Sequence, residues 1–186
     1  MLIAARSVFL EKGYVSSSVR DIAEAAGYTR GVLYSSIGVG AKAALLLELL
    51  RRDQERTNFP QLSDCHIHQA NIESLIAAYC RQLIRGSDCY PLWAEAMLVA
   101  RHEPEFRKHF VALQLEKIEQ IHSRVDQLLQ RTGRRGSVPA EHLTIVILGL
   151  CEGLQLFKLS DGNFNADEVV NVVIARYLAQ TSSRHS

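Results

Sequence analysis

The sequence predicts an all-α protein, and three observations support this class. Only 4 prolines and 11 glycines interrupt the 186 residues. Between these breaks, apolar residues recur at intervals of three and four residues instead of alternating, which indicates amphipathic helices. With 47% hydrophobic and 22% charged residues, the chain also has the composition of a globular protein, so disordered and fibrous classes are excluded. We expect about nine helices in two domains.

Local signals define the ends of the helices in the N-terminal domain, residues 1–57. Gly13 suits the left-handed conformation that ends many helices. Ser18, followed three residues later by Asp21, has the pattern of a capping box and starts a second helix, which Gly27 ends. Thr29 can cap a third helix. The four predicted helices cover 2–12, the stretch between Ser18 and Gly27, 29–37 and 41–56.

A break at 58–68, which contains Pro60, separates a larger C-terminal domain, residues 58–186. Glycine, proline and polar residues divide this domain into five further segments with helical spacing. They cover 69–85, 91–102, 104–132, 139–159 and 166–180.

Motifs for enzymatic or metal chemistry are not found in the sequence. The four cysteines form no C-x-x-C pair, which favours buried thiols in a reducing compartment. Cys65, His66 and His68 lie in the predicted linker without a second pair of ligands at zinc-site spacing, so we expect a solvated loop and no metal. No H-E-x-x-H, G-x-S-x-G or phosphate-binding glycine loop is present. We therefore expect neither an enzyme nor a bound cofactor.

Charge and hydropathy favour a cytoplasmic protein. The longest apolar stretch, Ile145 to Cys151, is much shorter than the roughly 18 residues that a membrane span needs, and the start of the chain lacks the pattern of a secretory signal. The net charge is +1, with 8 Lys/Arg against 6 Asp/Glu in residues 1–57. So small an excess excludes a strongly basic coat for nucleic acid but allows a few well-placed cations.

The segment 18–37 has the pattern of a helix-turn-helix DNA reader, in which two short helices follow a packing helix. Ala23 is small enough to let the helices cross, Gly27 accepts a positive φ in the turn, and Leu33 and Ile37 give the second helix an apolar back. A polar outer side then faces the major groove: Thr29, Arg30, Gly31, Tyr34, Ser35 and Ser36.

These residues carry a resemblance to a known family. Gly13-Tyr14 and the segment 18–34, which reads SVRDIAEAAGYTRGVLY, resemble the DNA-binding domain of the tetracycline-repressor (TetR) family of bacterial transcription regulators. The resemblance covers about the first 57 residues. It implies that Ser18 and Arg20 lie near DNA phosphates and that Thr29, Arg30 and Gly31 open the recognition helix. It also implies phosphate contacts from Tyr34 and Lys42, while Ser35 and Ser36 replace residues that the family usually has there.

Two predictions concern the C-terminal domain. The segments 139–159 and 166–180 are apolar nearly all round, and Gly149 and Gly153 would allow close approach of another helix. The resemblance implies that these helices pair with their symmetry mates in a homodimer, whereas burial within one chain is the alternative. A small-molecule effector would bind among the helices at 69–132 and the face of 139–159. The candidate contacts are Tyr79, Trp93, Met97, Phe106, Phe110 and Glu152, although aromatic residues at such spacing are often plain core.

The sequence therefore predicts a sequence-specific DNA-binding regulator, a repressor that a small molecule releases from double-stranded DNA. Arg30 is the candidate for bidentate reading of guanine. The alternative is a helical ligand-binding or protein-interaction module with a degenerate reader, since the segment 35–42 departs from the family pattern and the chain begins without a basic arm.

Overall fold

The computed structural model describes residues 1–29, 31, 40–56, 71–86, 88–134 and 138–182. These residues contain eight α-helices, which confirms the all-α prediction. They are α1 (Leu2–Lys12), α2 (Val19–Ala25), α3 (Ala41–Arg56), α4 (Ile72–Gly86), α5 (Tyr90–His102), α6 (Pro104–Arg131), α7 (Ala140–Ser160) and α8 (Ala166–Ser182). Thr29 and Gly31 are the only described residues of the predicted recognition helix, 29–37.

The helices form two compact units, each with its own core. The first comprises Met1–Arg56 and Asp88–Gln114, and the second comprises Thr57–Ser87 and Leu115–Ser186. The first unit therefore contains the predicted N-terminal domain up to Arg56 and also α5 and the start of α6. The break predicted at 58–68 lies outside the described residues, and the sequence does not indicate that Asp88–Gln114 packs with Met1–Arg56.

The core of the first unit joins α1, α2 and α3 to α5. Helix α1 packs against α2, α3 and α5, and α3 also packs against α5. Fully buried apolar side chains from all of these helices meet there, including Phe9, Ile22, Leu46, Leu50 and Leu92. Burying each of these side chains contributes about 1.5–3 kcal/mol. A short N-terminal helix pair thus gains most of its stability from a larger cluster, as isolated helices of this length do not persist in water.

The core of the second unit lies among α4, α7 and α8. Helix α4 packs against both α7 and α8, and α7 also contacts α8. Ile76, Leu143, Ile147 and Ile174 are fully buried there. Arg81 donates to the Asn171 side chain at 2.8 Å and so adds a polar contact between α4 and α8.

Candidate functional site

Helices α1 and α2 pack so that one side of α2 is buried and the other faces solvent. Ile22 and Ala23 are buried, which confirms that Ala23 belongs to the packed side. Ser18, Arg20 and Glu24 are exposed. The Ser18 hydroxyl and the Arg20 guanidinium therefore lie on the solvent-facing side of α2.

A capping box fixes the start of α2, as the sequence predicts. The Ser18 side chain accepts from the Asp21 backbone N–H at 3.1 Å, and the Ser18 N–H donates to Asp21 Oδ2 at 2.8 Å. Lys12, at the end of α1, donates to Asp21 Oδ1 at 2.6 Å. Together, the Lys12 and Ser18 hydrogen bonds hold the pKa of the Asp21 carboxyl well below its usual range.

This lowered pKa predicts an acid-sensitive helix. Because the folded pKa lies below the unfolded value of about 3.9, the contribution of Asp21 is complete above that pH and is lost as the pH falls further. We expect Asp21→Asn to lose stability near neutral pH and to show a smaller additional loss than wild type between about pH 4 and 2. Urea unfolding over this range measures both effects.

The matched control is Glu24→Gln on the same helix, since the Arg20–Glu24 pair at 2.7 Å is exposed and such pairs contribute little. If Asp21→Asn and Glu24→Gln have the same acid profile, the capping contacts do not stabilise α2 as described.

A glycine turn ends α2. Gly27 has φ +71°, which confirms the predicted need for a positive φ, and a Cβ there would meet nothing within 4 Å. Glycine is therefore needed for backbone conformation and not for space. The Tyr28 N–H donates to the Ala23 carbonyl at 2.9 Å and so fixes the direction in which the chain leaves α2. Tyr28, Thr29 and Gly31 are exposed. The predicted contacts Arg30, Tyr34, Ser35 and Ser36 lie outside the described residues.

Lys42, the last of the predicted DNA contacts, lies at the start of α3. Its ammonium donates to the Val15 carbonyl at 3.3 Å and lies 4.3 Å from the centre of the Tyr14 ring. Partial burial lowers the pKa of Lys42, although nearby Glu103 opposes this shift. An ammonium has three donors, so these contacts are compatible with an additional phosphate contact.

Residues 2–49, which include α1, α2 and the turn, match the family model for bacterial regulatory proteins of the tetR family. This N-terminal segment is therefore similar to the corresponding segment of the tetR family. No curated protein sequence matches it.

Solved structures share the fold of this chain over nearly its whole length. The TetR-family regulator PfmR from Thermus thermophilus is 22% identical, with 96% of each chain covered and a TM-score of 0.65. The regulator FadR from Bacillus subtilis, solved with stearoyl-CoA, is 18% identical, with 94% of each chain covered and a TM-score of 0.66. A protein from Saccharomonospora viridis, solved with choline, is 15% identical, with 96% of this chain and 93% of that chain covered and a TM-score of 0.67. At these identities the likeness establishes the fold.

The six candidate ligand contacts are distributed over both compact units. Trp93, Met97, Phe106 and Phe110 belong to the first unit, whereas Tyr79 and Glu152 belong to the second. The centroids of the Trp93 and Phe106 rings each lie 5.9 Å from that of Phe110, so these three buried side chains form one aromatic cluster. The side chain of Met97 is exposed. Tyr79 is buried, and burial raises the pKa of its hydroxyl.

Glu152, a candidate ligand contact, forms an ion pair. It is half-buried on α7, and its carboxylate accepts from Lys117 Nζ of α6 at 2.7 Å. A cationic ligand group at Glu152 would have to compete with this lysine.

A groove in the first unit was not predicted from the sequence. It has a volume of about 560 Å³ and lies between the N-terminal part of α3 and the start of α6, with Leu47, Glu48, Glu103 and Phe106 among its lining residues. Phe106 is thus the one predicted ligand contact that borders it. The groove escaped prediction because its two walls are more than 50 residues apart in the sequence.

The outer side of α7 is strongly apolar. Ile145 is 61% exposed, Leu156 is 57% exposed and Phe157 is 60% exposed, and on α8 the side chain of Val172 is 54% exposed. By length and composition α7 could cross a membrane, with a mean hydropathy of 1.6, but it also carries the Glu152–Lys117 ion pair and packs on α4 through its buried side. A face of this kind on a packed helix is typical of a protein interface.

The described part of the chain contains free cysteines but no cluster of potential metal ligands. Cys80, Cys89 and Cys151 are buried free thiols. No group of three or more potential metal ligands occurs among these residues. Cys65, His66 and His68 lie outside them.

Proposed function

We propose that this protein is a sequence-specific transcriptional repressor that binds double-stranded DNA as a homodimer and is released by a small-molecule effector. The observation that carries the proposal is the α1–α2 pair with its capped start and glycine turn, in a segment that matches the tetR family. In this proposal residues 1–57 are the DNA-binding domain, residues 58–186 bind the effector and form the dimer, and the protein acts in the cytoplasm without spanning a membrane.

The proposed DNA contacts divide into positioning and reading residues. Ser18 and Arg20, exposed at the start of α2, hold phosphates, and Tyr34 and Lys42 add further phosphate contacts. Base reading falls to the segment that begins at Thr29, with Arg30 against guanine. The remaining members of this set are Gly31, Ser35 and Ser36.

The proposed dimer uses the exposed sides of α7 and α8. Both Gly149 and Gly153 leave open space where a Cβ would stand, so a partner helix can approach the backbone of α7 closely. Ile145 and Leu156 are exposed on α7 and Val172 is exposed on α8, and in this proposal these apolar side chains join a four-helix arrangement of two chains. Two readers then bind half-sites about one DNA turn apart, roughly 34–36 Å.

The proposed effector acts through a difference in affinity for two states of the dimer. FadR and the Saccharomonospora viridis protein, which share this fold, were solved with stearoyl-CoA and with choline. They support a bound small molecule for this chain but do not identify it. A coupling of about 1–3 kcal/mol would change operator affinity roughly 5–150-fold. We propose no catalytic step.

DNA binding by the wild-type protein tests this function. The probe is a duplex selected by the protein from a random-sequence pool, compared in gel shifts with a scrambled duplex between about 50 and 200 mM salt. We expect the selected duplex to be preferred and the affinity to fall steeply with salt, because phosphate contacts release counterions. A module with a degenerate reader would select nothing and would show no such slope.

A further inference from the structure

The turn between α1 and α2 has an unusual backbone at its first residue. Gly13 ends α1 with φ +79° and ψ 153°, so φ is positive as predicted, but the chain leaves in an extended direction and not in the left-handed helical one. A Cβ at this position would lie 3.4 Å from Glu95 Oε1. The turn thus follows a path that brings its backbone close to a side chain of α5.

The contact made there is a charge-assisted hydrogen bond. The Tyr14 backbone N–H donates to Glu95 Oε2 at 2.6 Å, across 81 residues of sequence. The Gly13 N–H is already bonded to the Phe9 carbonyl at 2.9 Å, so Tyr14 carries the first backbone donor beyond α1. The bond is part-buried, so loss of the carboxylate would leave a backbone donor with only limited access to water.

Other elements of the first unit hold the same turn from different sides. The Tyr14 and Phe9 rings meet edge to face with centroids 5.3 Å apart. Lys42, from α3, lies over the Tyr14 ring and donates to Val15. The Ser17 hydroxyl donates to the Tyr14 carbonyl at 2.8 Å, which links the turn directly to the residue before the Ser18 cap.

Helix α5 is itself anchored to α3 by a buried hydrogen bond. The Trp93 Nε1–H donates to Asp53 Oδ2 at 2.8 Å. Residues two apart on a helix do not share a face. Helix α5 therefore contacts α3 through Trp93 and the turn that precedes α2 through Glu95. A shift of α5 would disturb both contacts.

We propose that Glu95 is the positioning residue through which α5 sets the orientation of α2 and so the fit of the reader to DNA. This proposal rests on the DNA-binding function proposed above and adds a residue to it. Glu95 touches no DNA. It acts by holding the Tyr14 N–H, and a displacement of α5 that withdraws the carboxylate would release the turn.

The test compares Glu95→Ala and Glu95→Gln in the full chain, with Glu73→Ala as the matched control. Glu73 also accepts from a distant arginine, Arg134, at 3.4 Å, but in the second unit. Two quantities are measured: hydrogen exchange of peptides covering 13–25, and affinity for the duplex selected by wild type. We expect Glu95→Ala to speed exchange in 13–25 and to weaken DNA binding at least fivefold, the lower end of typical couplings of roughly 5–150-fold.

Glu95→Gln retains an acceptor oxygen and is expected to restore most of both properties. Glu73→Ala is expected to leave both unchanged. Unchanged exchange in 13–25 for Glu95→Ala overturns the proposal, as does faster exchange with undiminished DNA affinity. If the wild-type protein selects no duplex, the proposed DNA-binding function is wrong, and the role of Glu95 in it is wrong as well. This outcome is distinguishable from a failure of the Glu95 proposal alone, because it is observed before any variant is made.

Discussion

Replacing Gly149 with arginine is expected to convert the dimer to a monomer and to lower operator affinity toward the non-specific level, about 10³-fold or more. Gly149 is exposed in the middle of α7, and open space surrounds the position where its Cβ would be. Glycine is about 0.8–1 kcal/mol less favourable than alanine in a helix interior, and arginine is among the good helix formers, so the single chain should remain folded. A loss of dimerisation and of operator affinity would therefore come from the interface, because a long charged side chain prevents close approach of the partner helix.

Sedimentation and gel shifts measure the two effects together. Wild type should sediment at twice the 20.8 kDa of the chain, and Gly149→Arg at its single mass. The matched control is Gly162→Arg, the same change in the exposed turn after α7, where a Cβ also meets nothing within 4 Å. A Gly149→Arg protein that remains dimeric and binds the operator normally would remove α7 from the interface.

Arg30→Ala is expected to produce the second largest effect, a loss of roughly 5–150-fold in affinity for the selected duplex, from about 1–3 kcal/mol of base discrimination. Non-specific binding should change far less, because only one positive charge is removed. Gel shifts on the selected and scrambled duplexes separate the two quantities.

Arg20→Ala is the control for Arg30→Ala. Arg20 is exposed on α2 and pairs with Glu24, and as a phosphate contact it should weaken binding to both duplexes by similar factors. Equal losses on both duplexes for Arg30→Ala would assign Arg30 to the backbone and not to a base.

Features of the fold that depend on residues close together in the sequence could be predicted from the sequence. The capping box needs Ser18 and Asp21 three residues apart, and the turn needs a residue such as Gly27 with a positive φ, so both can be recognised in the sequence. Helix α1 and helix α3 also have the predicted bounds, since glycine and charged residues mark their ends clearly.

Contacts between distant residues were not predictable in the same way. Nothing near Glu95 in the sequence indicates that its carboxylate accepts from the Tyr14 backbone, and nothing near Lys12 indicates the bond to Asp21. The assignment of α5 to the first unit depends on packing of Leu92 with Leu46 and Leu50 in one core, which periodicity alone cannot specify. Aromatic residues at helical spacing have the same pattern in a core as in a pocket, so the candidate ligand contacts could not be ranked.

Footprinting of the wild-type protein on its selected duplex tests the central claim most directly, namely that two copies of the helix-turn-helix reader at 18–37 bind one face of DNA as a symmetric pair. We expect two protected half-sites of inverted sequence, with centres about 10–10.5 base pairs or a multiple of that apart. A single protected site without symmetry, or protection independent of sequence, would contradict the account.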